Sequence, residues 1–129
     1  MSLKEQIYSV LIVSVSENLN TALSNLLPES KYGPVHTVSS IRAFAEKAYD
    51  FIIINSPLPD DIGTRFAIDV CNSKSTVVLL MIRAELHEET YYKVAEHGVF
   101  TLPKPTSKSA MSTALSWMAS ARERLRKSE

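Results

Sequence analysis

Apolar runs of strand length alternate with segments of helical periodicity along the whole chain. The run SVLIVSV (9–15) is continuous and rich in β-branched residues, as a strand covered on both faces requires. Leu19, Leu23, Leu26 and Leu27 then recur at helical spacing, and Pro28 stops that helix. PVHTV (34–38) predicts a second strand. Ile41, Phe44, Ala45 and Ala48 mark the inner face of a second helix, behind Ser39 and Ser40, which suit its N-cap. DFIIIN (50–55) predicts a third strand, and Phe66, Ala67 and Val70 a third helix ending near Asn72. TVVLLMI (76–82) is apolar on both faces, so it belongs inside a sheet. A fourth helix from Leu86 to Glu96 is stopped by Gly98, VFTL (99–102) makes a fifth strand, and a last helix follows Pro105.

Five strands alternating with five helices imply an α/β fold: a doubly wound five-stranded parallel sheet with right-handed crossovers and helices on both faces. The 129 residues, 45% hydrophobic and 22% charged, suit one domain. No apolar stretch approaches the roughly 18 residues of a membrane span. Fourteen basic residues balance fourteen acidic ones, which argues against direct nucleic-acid binding by this chain. Cys71 is the only cysteine, so there is no internal disulfide and no multi-cysteine metal site. Without a secretory signal, a reducing cytoplasm is expected. His36, His87 and His97 lack metal-ligand spacing and are expected to carry no site.

In a doubly wound sheet, ligands bind beyond the C-terminal ends of the strands. The residues expected there are Ser14 and Val15 after strand one, Asn55 after strand three, Arg83 after strand four and Lys104 after strand five. Four segments surround them: LIVSVSE; YDFIIINSPLPDDIG, with Pro59 four and Gly63 eight residues after Asn55; IRAE; and PKP, with Lys104 before Pro105. On these segments and the βα order, the chain resembles the receiver domain of two-component response regulators over nearly its whole length. That resemblance implies a flavodoxin-like receiver fold. It also implies an acidic pair after strand one, a phosphoacceptor aspartate at position 55, a Thr or Ser after strand four, and a lysine that contacts the phosphoryl group.

Only Lys104 follows that pattern. Ser14 and Val15 replace the acidic pair, Asn55 the phosphoacceptor, and Arg83 the hydroxyl residue. A neutral amide forms no stable phosphoryl adduct, and Mg²⁺, usually held by carboxylates, finds none at the aligned positions. Glu17 reads as a helix N-terminal charge instead of a ligand. The expectation is therefore a degenerate receiver with no cofactor, no metal and no catalysis. Its pocket should be neutral to cationic, and two readings stay open. Either Lys104 and Arg83 form an anion site, or Lys104 bonds to Asn55 or Ser14 while Arg83 points to solvent. Asp60 and Asp61 read as turn residues. At the position where the family carries an aromatic switch residue stands Thr101, with Phe100 beside it.

In the last helix, Met111, Met118 and Leu125 recur seven apart, Leu125 being the one apolar residue of the charged RERLRKSE. The expected division is a receiver-like domain at 1–121 and the start of a connector helix at 122–129. Such degenerate receivers look similar to those of ANTAR-type antitermination regulators, in which a helical connector leads to a small RNA-binding domain. The resemblance implies a partner or attached output domain and a homodimer through residues 86 to 126; a monomer with a solvated tail is the competing expectation. Two other readings are a flavodoxin-like small-molecule or anion-binding domain, for which SVSENLNT offers hydroxyls but no stacking aromatic, and phosphotransfer to Ser56 or an aspartate of PDD.

Overall fold

The computed structural model describes residues 8–40, 49–56, 63–73 and 76–128, with Asn72, Ser73, Arg126 and Ser128 described by their backbone alone. The elements are β1 (Tyr8–Val13), α1 (Glu17–Asn25), β2 (Tyr32–Val38), β3 (Phe51–Asn55), α2 (Thr64–Ser73), β4 (Val77–Arg83), α3 (Ala84–Val94), a 3₁₀ turn (Ala95–His97), β5 (Phe100–Lys104) and α4 (Lys108–Ser128). The helix expected around Ile41 to Ala48 lies outside the described residues, as do Pro59, Asp60 and Asp61.

The five strands form one parallel sheet in the order β2-β1-β3-β4-β5. The three central strands are buried on both faces, which is why they read as unbroken apolar runs and not as alternating ones. Successive side chains point to opposite faces, so each strand feeds two cores. Ile12, Ile53, Leu79 and Met81 pack with Leu23 of α1 and Met111, Leu115 and Met118 of α4. Leu11, Ile52, Ile54, Val78 and Leu80 pack with Ala67 and Val70 of α2 and Val94 of α3.

The ends of the elements are built locally. Ser16 is the N-cap of α1, where its Oγ accepts from the Leu19 N–H at 3.2 Å. Ser107 Oγ does the same for Ala110 N at 3.0 Å at the start of α4. Gly98 adopts φ 86° as the left-handed cap of the 3₁₀ turn, and Gly63 adopts φ 96° at the entry to α2; both conformations suit a residue without Cβ.

Both edge strands differ from the sequence-based bounds. β2 begins at Tyr32, not at residue 34, and β5 runs on through Pro103 to Lys104 instead of ending at residue 102. Each takes a proline into the strand. An edge strand tolerates it because one of its sides has no ladder to supply with N–H donors. α3 follows β4 directly, with Arg83 as both the last strand residue and the helix N-cap.

α4 continues unbroken to Ser128, and its first residues beyond Ala121 are tied to the sheet. Arg122 Nε meets Asp50 Oδ1 at 2.8 Å in a pair whose side chains are 13% and 15% exposed. Tyr8 OH donates to Glu123 Oε2 at 2.7 Å. Asp50 also accepts from Ser9 N at 2.9 Å and returns its own N–H to Ser9 Oγ. The docked part of the helix thus reaches at least Glu123. Among the described residues, no helix is long and apolar enough to cross a membrane.

Candidate functional site

The sheet order reverses direction between β1 and β3, and in such folds the crevice at the strand ends lies there. Three polar residues are buried at that point: Ser14 (2% exposed), Asn55 (7%) and Ser56 (2%). Buried polar groups need partners, and a chain of hydrogen bonds supplies them. Lys104 Nζ donates to Asn55 Oδ1 at 2.7 Å and to the carbonyl oxygen of Ser56. Asn55 Nδ2 donates to Ser14 Oγ at 3.3 Å, and that oxygen also accepts from Ser16 N at 3.1 Å. Since Ser16 caps α1, the chain runs from β5 across β3 and β1 into the first helix.

Register explains how distant residues meet. Val13 pairs with Ile54, Asn55 with Met81, and Arg83 with Lys104, so the ends of four strands come level. Two of the expected site residues stay outside the hydrogen-bond chain. Val15 is 53% exposed and has no polar side-chain atom to contribute. Arg83 is exposed, but its guanidinium is close enough to act on Lys104: burial first, and the Arg83 charge second, hold the Lys104 ammonium below its usual pKa. Among the described residues no carboxylate hydrogen-bonds to Lys104, and no cluster of three or more His, Cys, Asp or Glu could hold a metal ion. Glu17 is exposed in the first turn of α1. The site is thus cationic and lacks a carboxylate nucleophile at position 55.

Thr101 and Phe100 lie on opposite faces of β5. Phe100 packs against the core shared with α1 and α4, while Thr101 Oγ1 meets His87 Nε2 of α3 at 3.1 Å. His87 in turn lies 6.3 Å from the Tyr91 ring, and Tyr91 5.7 Å from Tyr92. The sequence reading assigned His87 no contact with the switch position, and a lone histidine in a helix carries no signal that would have supplied one. It also missed the Ser56 carbonyl as a lysine partner, since main-chain acceptors leave no mark on sequence. Gly63 and Pro105 flank the site, Gly63 buried and Pro105 exposed behind a cis Lys104–Pro105 peptide bond. Pro59 lies outside the described residues.

No protein-family model matches the chain, and no curated protein matches it. Solved structures do. The signal receiver domain of an HD domain-containing protein from Pseudomonas fluorescens Pf-5 superposes with a TM-score of 0.76 at 19% identity, covering 98% of this chain and 96% of that one. The BeF3-activated DrrB receiver domain gives 0.75 at 18% identity, over 89% and 99%. The response regulatory domain of mrkE from Klebsiella pneumoniae gives 0.74 at 16% identity, over 90% and 98%. The five-stranded parallel sheet and its flanking helices have the flavodoxin-like fold of response-regulator receiver domains.

Proposed function

We propose that this chain is a degenerate receiver: a signalling module that keeps the receiver fold but accepts no phosphoryl group. One observation carries the reading. The residue at the end of β3 is an amide, Asn55, with its oxygen taken by Lys104 and its nitrogen given to Ser14. A phosphoacceptor must present a free carboxylate oxygen to an electrophilic phosphorus, and an amide has no such nucleophile. Arg83 adds to the argument, because a cation in place of the hydroxyl residue opposes the divalent ion that phosphotransfer uses.

Output then depends on a partner or on an attached domain. The sequence resemblance to ANTAR-type regulators makes transcription control through an RNA-binding output domain the class to test, in the cytoplasm and without catalysis by this domain. The assembly we infer is a homodimer that forms without phosphorylation. Tyr92 (71% exposed) on α3 and Trp117 (62%) on α4 support it. Both helices flank the edge strand β5, and large exposed aromatics are enriched at protein interfaces.

Intact mass after incubation with acetyl phosphate and Mg²⁺ tests the central reading, which expects no stable added phosphoryl group. An adduct at Asn55, Ser56 or the following aspartates would overturn it. Sedimentation across the micromolar range tests the dimer: a monomer at every concentration removes it, and a dimer weakened by Trp117→Ser supports it.

A further inference from the structure

A cleft of about 420 Å³ lies between α1, the end of β5 and the start of α4, beside the hydrogen-bonded residues described above. That size falls within the range of small-molecule sites. Its lining is of two kinds. Leu19 and Ala22 of α1 form its apolar wall, with the buried Met81 of β4 and Met111 of α4 as its floor, while Ser16, Asn18, Asn55, Lys104 and Thr106 are polar. Methionine side chains adapt to irregular apolar shapes, which suits such a floor.

The charge in this cleft is one-sided. A lysine ammonium has three N–H donors. Lys104 directs two bonds to the Asn55 amide oxygen and the Ser56 carbonyl, both neutral acceptors. Among the described residues no carboxylate meets the third donor, and Arg83, in register on β4, adds a second cation instead of cancelling the first. A cation on an apolar cleft attracts an anion more strongly than one in open water, because the surrounding medium screens less. The apolar walls offer nothing to a bare inorganic ion, but they remove the hydrocarbon part of an organic one from water.

We propose that this cleft binds a small organic acid, with its carboxylate on Lys104 Nζ and its apolar body against Leu19 and Ala22, above Met111. Such a ligand would bridge α1 and α4 at the position where a phosphoryl group acts in a phosphorylatable receiver. It would thus supply an input to a domain that phosphorylation does not reach. The proposal rests on the degenerate-receiver reading, and the two fail on different readouts: covalent mass for that reading, reversible titration for this one.

The test uses ¹⁵N-labelled protein titrated separately with hexanoate, hexan-1-ol and inorganic phosphate while amide shifts are followed. Hexanoate is expected to give saturable shifts at Leu19, Ala22 and Thr106, with affinity at least about tenfold above either control, equivalent to about 1.4 kcal/mol. Lys104→Met removes the charge and should weaken hexanoate about tenfold or more. Ala22→Phe fills the cleft, leaves the lysine and its bonds in place, and should also abolish saturation, so the test survives if one variant fails to fold. Equal binding of hexan-1-ol would reduce the cleft to an apolar crevice, and equal binding of phosphate would reduce it to a bare anion site. Either result overturns the proposal, as does hexanoate that fails to saturate or that binds both variants unchanged.

Discussion

Exchanging the amide for a carboxylate, Asn55→Asp, probes the site's electrostatics and its chemistry in one variant. The oxygen that accepts from Lys104 Nζ at 2.7 Å becomes half of an ion pair. At an effective dielectric constant of about 20, unit charges at that separation attract by roughly 6 kcal/mol. Desolvating a carboxylate at a position 7% exposed offsets several kcal/mol of that gain. The bond from Asn55 Nδ2 to Ser14 Oγ is lost, but the Ser14 hydroxyl can rotate and donate in its place. The net expectation is a stabilisation of about 1–2 kcal/mol. For a chain of this size that raises Tm by about 3–10 °C at neutral pH.

Lys104 holds the introduced carboxyl below its usual pKa of about 3.9. The gain is therefore present above that value and is lost as pH falls through the depressed folded-state pKa. Thermal unfolding of parent and variant at neutral pH and at about pH 2 measures it. Phosphorylation should not appear, because Ser14 and Val15 still supply no carboxylate for Mg²⁺ and Arg83 remains. A variant Tm at or below the parent at neutral pH, a gain that persists at about pH 2, or efficient modification by acetyl phosphate would each refute the reasoning.

Arg83→Gln removes the nearby charge, so the Lys104 pKa should rise toward its ordinary value of 10.5. The parent's lowered pKa means that folding disfavours the ammonium; that penalty is full below the folded pKa and relieved as pH climbs toward 10.5. A ¹³Cε titration of Lys104 that shows no change would remove Arg83 from the site. Arg122→Ala should cost about 3 kcal/mol in urea unfolding, since it strips one partner from a largely buried ion pair; a loss below about 0.5 kcal/mol would mean that the end of α4 is not anchored there. Burial raises the Cys71 thiol to about 11, so about one thiol in a thousand is ionised at pH 8, and stability should fall as pH rises from about 9 to about 11. Alkylation by iodoacetamide should be far slower than for an unfolded control, and equal rates would contradict the burial.

The sheet was legible because its three central strands are buried on both faces, and a continuous run such as FIIIN has no other stable use in a chain this short. The helices showed themselves by leucine and methionine spacing, and the strand-end residues followed from the βα order. Edge strands were harder to bound. β2 and β5 are covered on fewer sides and carry Pro34 and Pro103, so burial there leaves no continuous apolar signal. That position 55 carries an amide and not a carboxylate was also legible, since a functional group travels with the residue whatever the fold.

What the residues do to one another was decided by register and packing. Lys104 meets Asn55 across 49 positions, and Arg122 meets Asp50 across 72. Local sequence carries no trace of either contact: the first depends on where the parallel ladder brings the ends of β3 and β5 level, the second on how α4 packs back beside the start of β3. The tail RERLRKSE shows the same limit. Its composition reads as solvated, yet Arg122 is held by Asp50, just before the third strand, and Glu123 by Tyr8 at the start of the first. Charge predicts exposure only when no complementary charge waits at the other end of the fold, and the chain's connectivity puts one there.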